Sequence, residues 1–442
     1  MAMGVPAGCK ICNELRSCNQ TILVTDHTNR AQQTQVFLQL TTHHPSPLKK
    51  STMGEKNLSK RPLKLLYFIG VDWFFYSHFL DRAIAAKQAG YEVIVLTAIT
   101  REDNPLAEHG IKLIGIQFER RSLSPVGLIR NLRDVLRVLK EEKPDIVHQI
   151  ALKPILIGSV ACRLLGIKRV ISAVVGLGYV FSSDNVSARI MRRVLSFLFH
   201  FVLDKQHAST VFENEDDRAY FLDKGWVKDS AAVLIRGAGV DIERFKPSPR
   251  TSGVPVIMLL SRMLWDKGVG EFVNAARQLR QKYGHAYAQF VLVGDPDDDN
   301  RGAIPRDQLL AWQEEGVIQW WGFRSDVENV LGLATVSCLP SYREGLPKSL
   351  LESLAMGLPC IVTDVPGCRE AVKEGVNGYL VAPRDSNALA NAIDRLLQNP
   401  VLQEKFGLAS RVMAVEQFSN KIVNEQTLGL YTKVLEGKRK FI

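Results

Sequence analysis

Two carboxylates, Glu344 and Glu352, stand eight positions apart, and the residues around them suggest what they could do. A short apolar run from residue 337 reads as a buried strand. The polar segment Ser341-Tyr342-Arg343-Glu344-Gly345 follows, then a helix over residues 348–356 stopped by Gly357, since glycine favours the left-handed turn that ends a helix. Residues 360–363 form the next apolar run. Glu344 is therefore expected at the carboxyl end of a strand, beside a helix amino terminus. Open α/β sheets bind ligands there, and free backbone N–H groups attract anions. A carboxylate beside an anion site suits a ligand that offers both phosphate and hydroxyls, as a sugar nucleotide does. On spacing alone, a helix-capping Glu344 and a solvated Glu352 explain the pair equally well.

The flanking residues add to the spacing. Gly345-Leu346-Pro347 follows the first Glu and Gly357-Leu358-Pro359 the second. With Glu344-x7-Glu352, these resemble the retaining glycosyltransferases of family 4. The resemblance implies an α/β protein of the GT-B fold, two doubly wound domains facing across a cleft. It also gives meaning to Arg262 and Lys267, which share one loop between a strand (residues 256–261) and a helix (residues 271–283). By themselves they would read as a solvated loop. In the family context they neutralise a diphosphate leaving group, Arg bidentately and Lys as a point charge. The same resemblance places Glu344 on the sugar hydroxyls, Glu352 on the ribose, backbone groups of Gly345 and Leu346 on the diphosphate, the segment around Arg324 near the base, and Gly294 in the nucleotide-sugar site.

A chain of 442 residues suits two or three domains. The elements follow that division. Residues 1–62 lack periodicity and are read as a disordered leader, or as the product of a start upstream of Met53. Residues 63–248 alternate strands and helices, beginning with a strand at 63–70, the aromatic loop Val71 to His78, a helix to Gly90 and a strand at 91–97. A Pro- and Gly-bearing linker leads to a second such domain, 249–412. Residues 413–442 are expected, by resemblance, to cross back onto the first domain as helices. The first βα turn has one glycine, Gly70, so it is no dinucleotide fingerprint.

Within the first domain, Pro144-Asp145-Ile146-Val147-His148, Lys153-Pro154, Gly176-Leu177-Gly178-Tyr179-Val180-Phe181 and Phe212-Glu213-Asn214-Glu215-Asp216-Asp217 resemble one branch of the family. Its members build capsule, O-antigen and other glycans on undecaprenyl diphosphate, including N-acetylgalactosaminyltransferases that extend bacillosamine-type lipids. His148, at a strand's carboxyl end, is then expected to orient the acceptor. Lys153 would pair with a lipid diphosphate, and His78 and Gly178 would line the acceptor side. The chain departs from the branch at Gln149, Ala151, Val175 and Arg236. The expected partners are a nucleotide-diphosphate sugar, with uridine the favoured base, and a polyprenyl-diphosphate-linked saccharide.

The net charge of +10 is unevenly placed: residues 1–62 carry +5, residues 120–205 carry +9, and the remainder −4. Such a field favours phosphate or anionic lipid. No interleaving of aromatic and basic residues suggests nucleic-acid binding. Arg189, Arg192, Arg193, Ser196 and His200 fall opposite Ile190, Val194, Phe197, Leu198, Phe201 and Val202 at helical spacing. This stretch is expected to pack its apolar stripe on the sheet and to turn its basic face to solvent or to an anionic bilayer. A peripheral position on the cytoplasmic face of the membrane follows as an expectation.

Cys9-x2-Cys12 lacks a matching second pair for zinc, while Cys162, Cys338 and Cys360 read as core residues. The run Asp295-Pro296-Asp297-Asp298-Asp299 invites a magnesium or calcium reading. The resembled fold uses cationic side chains instead, so no metal or cofactor is expected. Two other functions compete: a sugar-nucleotide epimerase on a related fold, and a non-catalytic membrane-associated scaffold.

Overall fold

The computed structural model describes residues 61–119, 124–177, 186–203, 208–248 and 253–437, all within one compact unit, Lys60–Ile442. The reading of residues 1–60 as a leader or mis-start, and Gly178, lie outside the described residues.

Two parallel sheets organise the chain. The first has seven strands: β1 (Lys64–Phe68), β2 (Glu92–Thr97), β3 (Lys112–Gly115), β4 (Ile146–Ile150), β5 (Val170–Val174), β6 (Ala208–Phe212) and β7 (Ala232–Leu234), in the order β3-β2-β1-β4-β5-β6-β7. The second has six: β8 (Val256–Leu260), β9 (Gln289–Val293), β10 (Gln319–Trp320), β11 (Val336–Leu339), β12 (Cys360–Thr363) and β13 (Gly378–Val381), in the order β10-β9-β8-β11-β12-β13. Every ladder is parallel, for example Tyr67 against both Val95 and His148. Parallel strands need crossover connections and are covered on both faces. This is why strands such as VISAV and CIVT are mostly apolar and fully buried.

Both sheets reverse direction of growth beside their first strand, β1 next to β4 and β8 next to β11. A doubly wound sheet opens a crevice at that switch point. Helix Asn420–Glu436 packs on helix Leu80–Gln88 of the first sheet's half. Its Val423, Leu430, Tyr431 and Val434 join the core of the first sheet beside Tyr67 and Phe75.

Three local expectations are corrected. Residues 71–78 are not a loop but a helix, Asp72–His78. The buried Asp72 carboxylate accepts from the backbone N–H groups of Trp73, Thr100 and Arg101 and from the Thr100 hydroxyl, which fixes the turn. The aromatic cluster thereby splits: Phe75 enters the core while Trp73, Phe74 and Tyr76 face the crevice. Strand β4 runs to Ile150, two residues past His148, and a helix, Leu152–Leu164, begins almost at once after Ala151 in left-handed backbone (φ 74°).

The helix Val186–Leu203 exists, but its buried face differs from the expected stripe. Leu195, Phe199 and Leu203 are buried, packing with Phe221 and Trp226. Phe197 is 64% exposed and Leu198 is also exposed. Trp226 Nε1 donates to Ser196 Oγ at 3.1 Å and draws that polar residue inward. The helix has rotated its hydroxyl face toward the domain and left Phe197 outside.

Candidate active site

The two switch points face one crevice, a cavity of about 1440 Å³. From the second sheet it is lined by Arg262, Lys267, Gly294, Arg324, Glu344, Gly345, Leu346 and Glu352; from the first, His78 and the aromatic residues of helix Asp72–His78 line it. Nine of the twelve site residues expected from sequence meet in this one space.

Lys267 reaches it through a short turn, Trp265–Lys267, closed by Gly268 at φ 71°. A Cβ on Gly268 would sit 2.1 Å from the Pro340 carbonyl oxygen, so no other residue allows the two loops to touch. Tyr342 N–H donates to Asp266 O at 2.9 Å across the same contact. The docked loops bring Lys267 Nζ within 2.5 Å of Glu344 Oε1, although 77 positions separate them. Ser341 Oγ donates to the same oxygen at 2.7 Å, and Thr363 Oγ1 holds the Ser341 carbonyl.

Arg262 pairs with Asp297 at 2.6 Å, and Asp295 with Arg306 at 3.3 Å. Two of the four aspartates after β9 are thus paired with cations, and among the described residues no group of three or more metal-ligating side chains forms. Glu352 lies on helix Lys348–Ala355 and is 8% exposed. Burial raises its pKa, opposed by Lys348 at 3.6 Å and by Arg244. Arg324 forms a two-pronged pair with Asp326 on the rim.

His148 does not belong to this space. It is 2% exposed and packs edge-on to Phe79 and Tyr431 and against Tyr67. Its Nδ1 lies 2.9 Å from Tyr431 Oη, which also contacts Tyr67 Oη at 2.7 Å. Burial, aided by Arg82, lowers its pKa to about 3, so the ring is neutral. It is a core residue because helix Asn420–Glu436 covers that part of the sheet. Lys153 is likewise outside the lining. It donates to the Glu119 carbonyl at 2.5 Å and stands over the Phe118 ring, and both of those residues are on the wall. His78 does line the cavity; burial first, then Lys348 and Arg82, lower its pKa to about 3.

Sequence reasoning passed over two lining residues. Lys348, on the first turn of its helix, donates to the Ser77 carbonyl at 2.6 Å and bridges the two halves of the crevice. Glu213, just after β6, is 7% exposed. Burial pushes its pKa up to about 8 against the pull of Arg82 and the Leu346 N–H. Its position within Phe212-Glu213-Asn214 was the one available signal, and nothing in the motif shows which way it faces.

Two doubly wound halves facing one crevice define the GT-B architecture. Residues 64–207 match the family described as Glycosyl transferase 4-like, and residues 254–399 match Glycosyl transferases group 1. The chain belongs to these glycosyltransferases. A Campylobacter jejuni N,N'-diacetylbacillosaminyl-diphospho-undecaprenol alpha-1,3-N-acetylgalactosaminyltransferase is 27% identical over 366 residues, 80% of this chain and 94% of that one. An Escherichia coli UDP-Gal:alpha-D-GlcNAc-diphosphoundecaprenol alpha-1,3-galactosyltransferase is 26% identical over 347 residues, 74% and 84% respectively. Among solved structures, the sucrose-phosphate synthase of Thermosynechococcus elongatus superposes with a TM-score of 0.70 at 19% identity, over 85% of this chain and all of that one. That likeness is one of fold.

Proposed function

We propose that this enzyme moves a hexose or N-acetylhexosamine from a uridine-diphosphate sugar to a hydroxyl of a polyprenyl-diphosphate-linked saccharide, with the anomeric configuration kept. One observation carries the reading: Arg262, Lys267, Glu344 and Glu352 line a single crevice at the carboxyl ends of the strands. Two relatives that cover most of the chain act, by name, on sugars linked to diphospho-undecaprenol, and one takes UDP-galactose.

The chemistry follows from charge placement. As the glycosidic bond to the diphosphate breaks, the sugar becomes oxocarbenium-like and negative charge grows on the leaving oxygens. Preorganised donors that meet this charge supply the largest catalytic term. Arg262 and Lys267 are placed for it, with the backbone at Gly345 and Leu346 where helix Lys348–Ala355 begins. These cations do what a divalent ion would otherwise do. Glu344, held by Ser341 and Lys267, accepts from sugar hydroxyls and fixes the anomeric carbon. Glu352, recessed and 8% exposed, accepts from the ribose. His78 and the aromatic wall at Trp73, Phe74 and Tyr76 form the acceptor side.

The acceptor's lipid must lie in a bilayer, and the enzyme meets it from the surface. No helix among the described residues is long and apolar enough to cross a membrane. Helices Pro125–Glu142, Leu152–Leu164 and Val186–Leu203 are successive neighbours. They expose Val126, Ile129, Leu164, Phe197 and Leu198 among exposed Arg130, Arg133, Arg163, Arg189 and Arg193. Apolar side chains interspersed with arginine suit anionic headgroups, which supports the reading of a peripheral enzyme on the inner face of the cell membrane.

The test is transfer from labelled UDP-hexoses and UDP-N-acetylhexosamines to short polyprenyl-diphosphate glycans, with donor alone as control. A glycosylated lipid that forms only when both substrates are present supports the reading. Steady conversion of donor alone into a new sugar would mark an epimerase instead and overturn it.

A further inference from the structure

Glu213 holds a place in the crevice that the reaction as described does not use. It sits between the two halves of the site. Its carboxylate lies beside the Leu346 amide, whose N–H favours the ionised form; that amide is one of the two assigned above to the diphosphate. A Cβ on Gly345 would lie 2.6 Å from Glu213 Oε2 and 2.8 Å from the Val175 carbonyl oxygen, so the carboxyl is pressed directly against the Gly345–Leu346 backbone. Next to it, Asn214 Nδ2 donates to the Gly345 carbonyl at 2.8 Å. Arg343, from the same loop, pairs with the buried Asp217.

Three charged groups face Glu213. Arg82 approaches from helix Leu80–Gln88, Asp217 from helix Glu215–Asp223, and Glu344 from the loop, itself paired with Lys267. Arg82 is also buried and donates to the Gly237 carbonyl. Burial first, with the Asp217 and Glu344 carboxylates nearby, disfavours an ionised Glu213 against the pull of Arg82. A diphosphate arriving at the Leu346 amide would bring a further negative charge against it.

We propose that Glu213 is a positioning residue that competes with the nucleotide diphosphate for the Leu346 amide, and that binding of the diphosphate requires Glu213 to be protonated. The protonated carboxyl gives up the amide and donates its own O–H to a phosphate oxygen. The proton comes from solvent, so binding takes up one proton when the free enzyme is ionised at this site. This inference rests on the assignment of the crevice to a nucleotide diphosphate.

The sign follows from linkage. With Glu213 at about 8 in the free enzyme and higher once the diphosphate is beside it, affinity is flat below pH 7 and falls as pH rises through 8. The loss reaches about tenfold by pH 9, one decade per unit above the free-state pKa. The experiment is isothermal titration of the full chain with uridine diphosphate from pH 6.5 to 9, in two buffers of different ionisation enthalpy. Wild type is expected to take up close to one proton per nucleotide at pH 9 and to bind about tenfold more weakly than at pH 7. Glu213→Gln, which keeps shape and cannot ionise, is expected to show neither the proton uptake nor the pH-dependent loss. Glu213→Asp, shorter by one methylene, separates a structural role from this one, because it retains a titrating group and should retain proton uptake.

Equal proton uptake by wild type and Glu213→Gln would overturn the proposal, as would a wild-type affinity flat across the range. Failure of the nucleotide to bind wild type at any pH would instead sink the diphosphate assignment. Lys267→Ala distinguishes the two failures: it weakens binding at every pH if that assignment is right, whatever Glu213 does.

Discussion

Removal of Lys267 tests the site most directly, because it pairs with Glu344 in the structure and meets the diphosphate in the proposed reaction. Its ammonium lies 2.5 Å from Glu344 Oε1, with the two side chains 16% and 10% exposed. At an effective dielectric of 20, that contact corresponds to about 7 kcal/mol of gross Coulomb attraction. Most of it is offset by desolvation, but Lys267→Ala leaves Glu344 without its cation, a change that costs about 3–5 kcal/mol in buried pairs. The same change removes one electrostatic donor from the leaving diphosphate, a loss of ~10²–10³ in turnover. The double variant Lys267→Ala, Glu344→Gln separates the two effects. It relieves the stranded charge, so thermal melting should recover most of the way toward wild type, while transfer stays at or below the level of the single variant. Melting by intrinsic fluorescence and transfer from a radiolabelled UDP-sugar read the two quantities on the same preparations. If folded Lys267→Ala turns over within tenfold of wild type, the diphosphate is not held there and the electrostatic account of the site fails.

Other residues answer narrower questions. Arg262→Ala should lose transfer by ~10²-fold or more on the same scale, and near-wild-type turnover would remove Arg262 from the site. Glu352→Gln keeps the volume but weakens a charged acceptor. Donor Kd should rise by about ten- to a hundredfold, the range of a hydrogen bond to a charged group, and an unchanged Kd would mean that Glu352 does not hold the ribose. Tyr431→Phe removes the hydroxyl that contacts both His148 and Tyr67. It should cost about 1–3 kcal/mol of stability and leave nucleotide affinity alone; a shift in affinity would show that this network reaches the crevice. For the surface, Phe197→Ser combined with Arg193→Ser should reduce sedimentation with vesicles containing phosphatidylglycerol. Equal sedimentation with neutral phosphatidylcholine vesicles at low salt would dispose of the basic face as a lipid contact.

Local order was readable where the sequence itself confines the backbone. Apolar runs of four or five residues followed by Gly, Pro or a polar loop specify parallel strands covered on both faces. The segments around Arg262–Lys267 and Glu344–Glu352 were legible because each is one strand–loop–helix unit. In such a unit the functional group sits a few residues past a strand, and the chain direction settles which end of the sheet it occupies. The resemblance carried by Gly345-Leu346-Pro347 and Gly357-Leu358-Pro359 then supplied the pairing of two loops that no local signal connects.

Side-chain direction was a different matter. His148 was expected at the end of β4 and facing a ligand. The strand continues to Ile150, and a helix 283 positions further on brings Tyr431 over the ring. On Val186–Leu203, the periodicity gave a helix and an apolar arc. Contact with Trp226 then chose Leu195, Phe199 and Leu203 as the buried edge and left Phe197 outside. Glu213 became visible only when Gly345 was packed against it. By itself, then, the sequence determined which segments become strands and helices and which loops carry cations and carboxylates, because short-range sterics and hydrophobic period act over a few residues. The tertiary structure alone decided which carboxylate meets which cation, which histidine is sealed in the core and which acid packs against Gly345. Those outcomes depend on contacts between segments tens to hundreds of positions apart, and on the solvent that such contacts exclude.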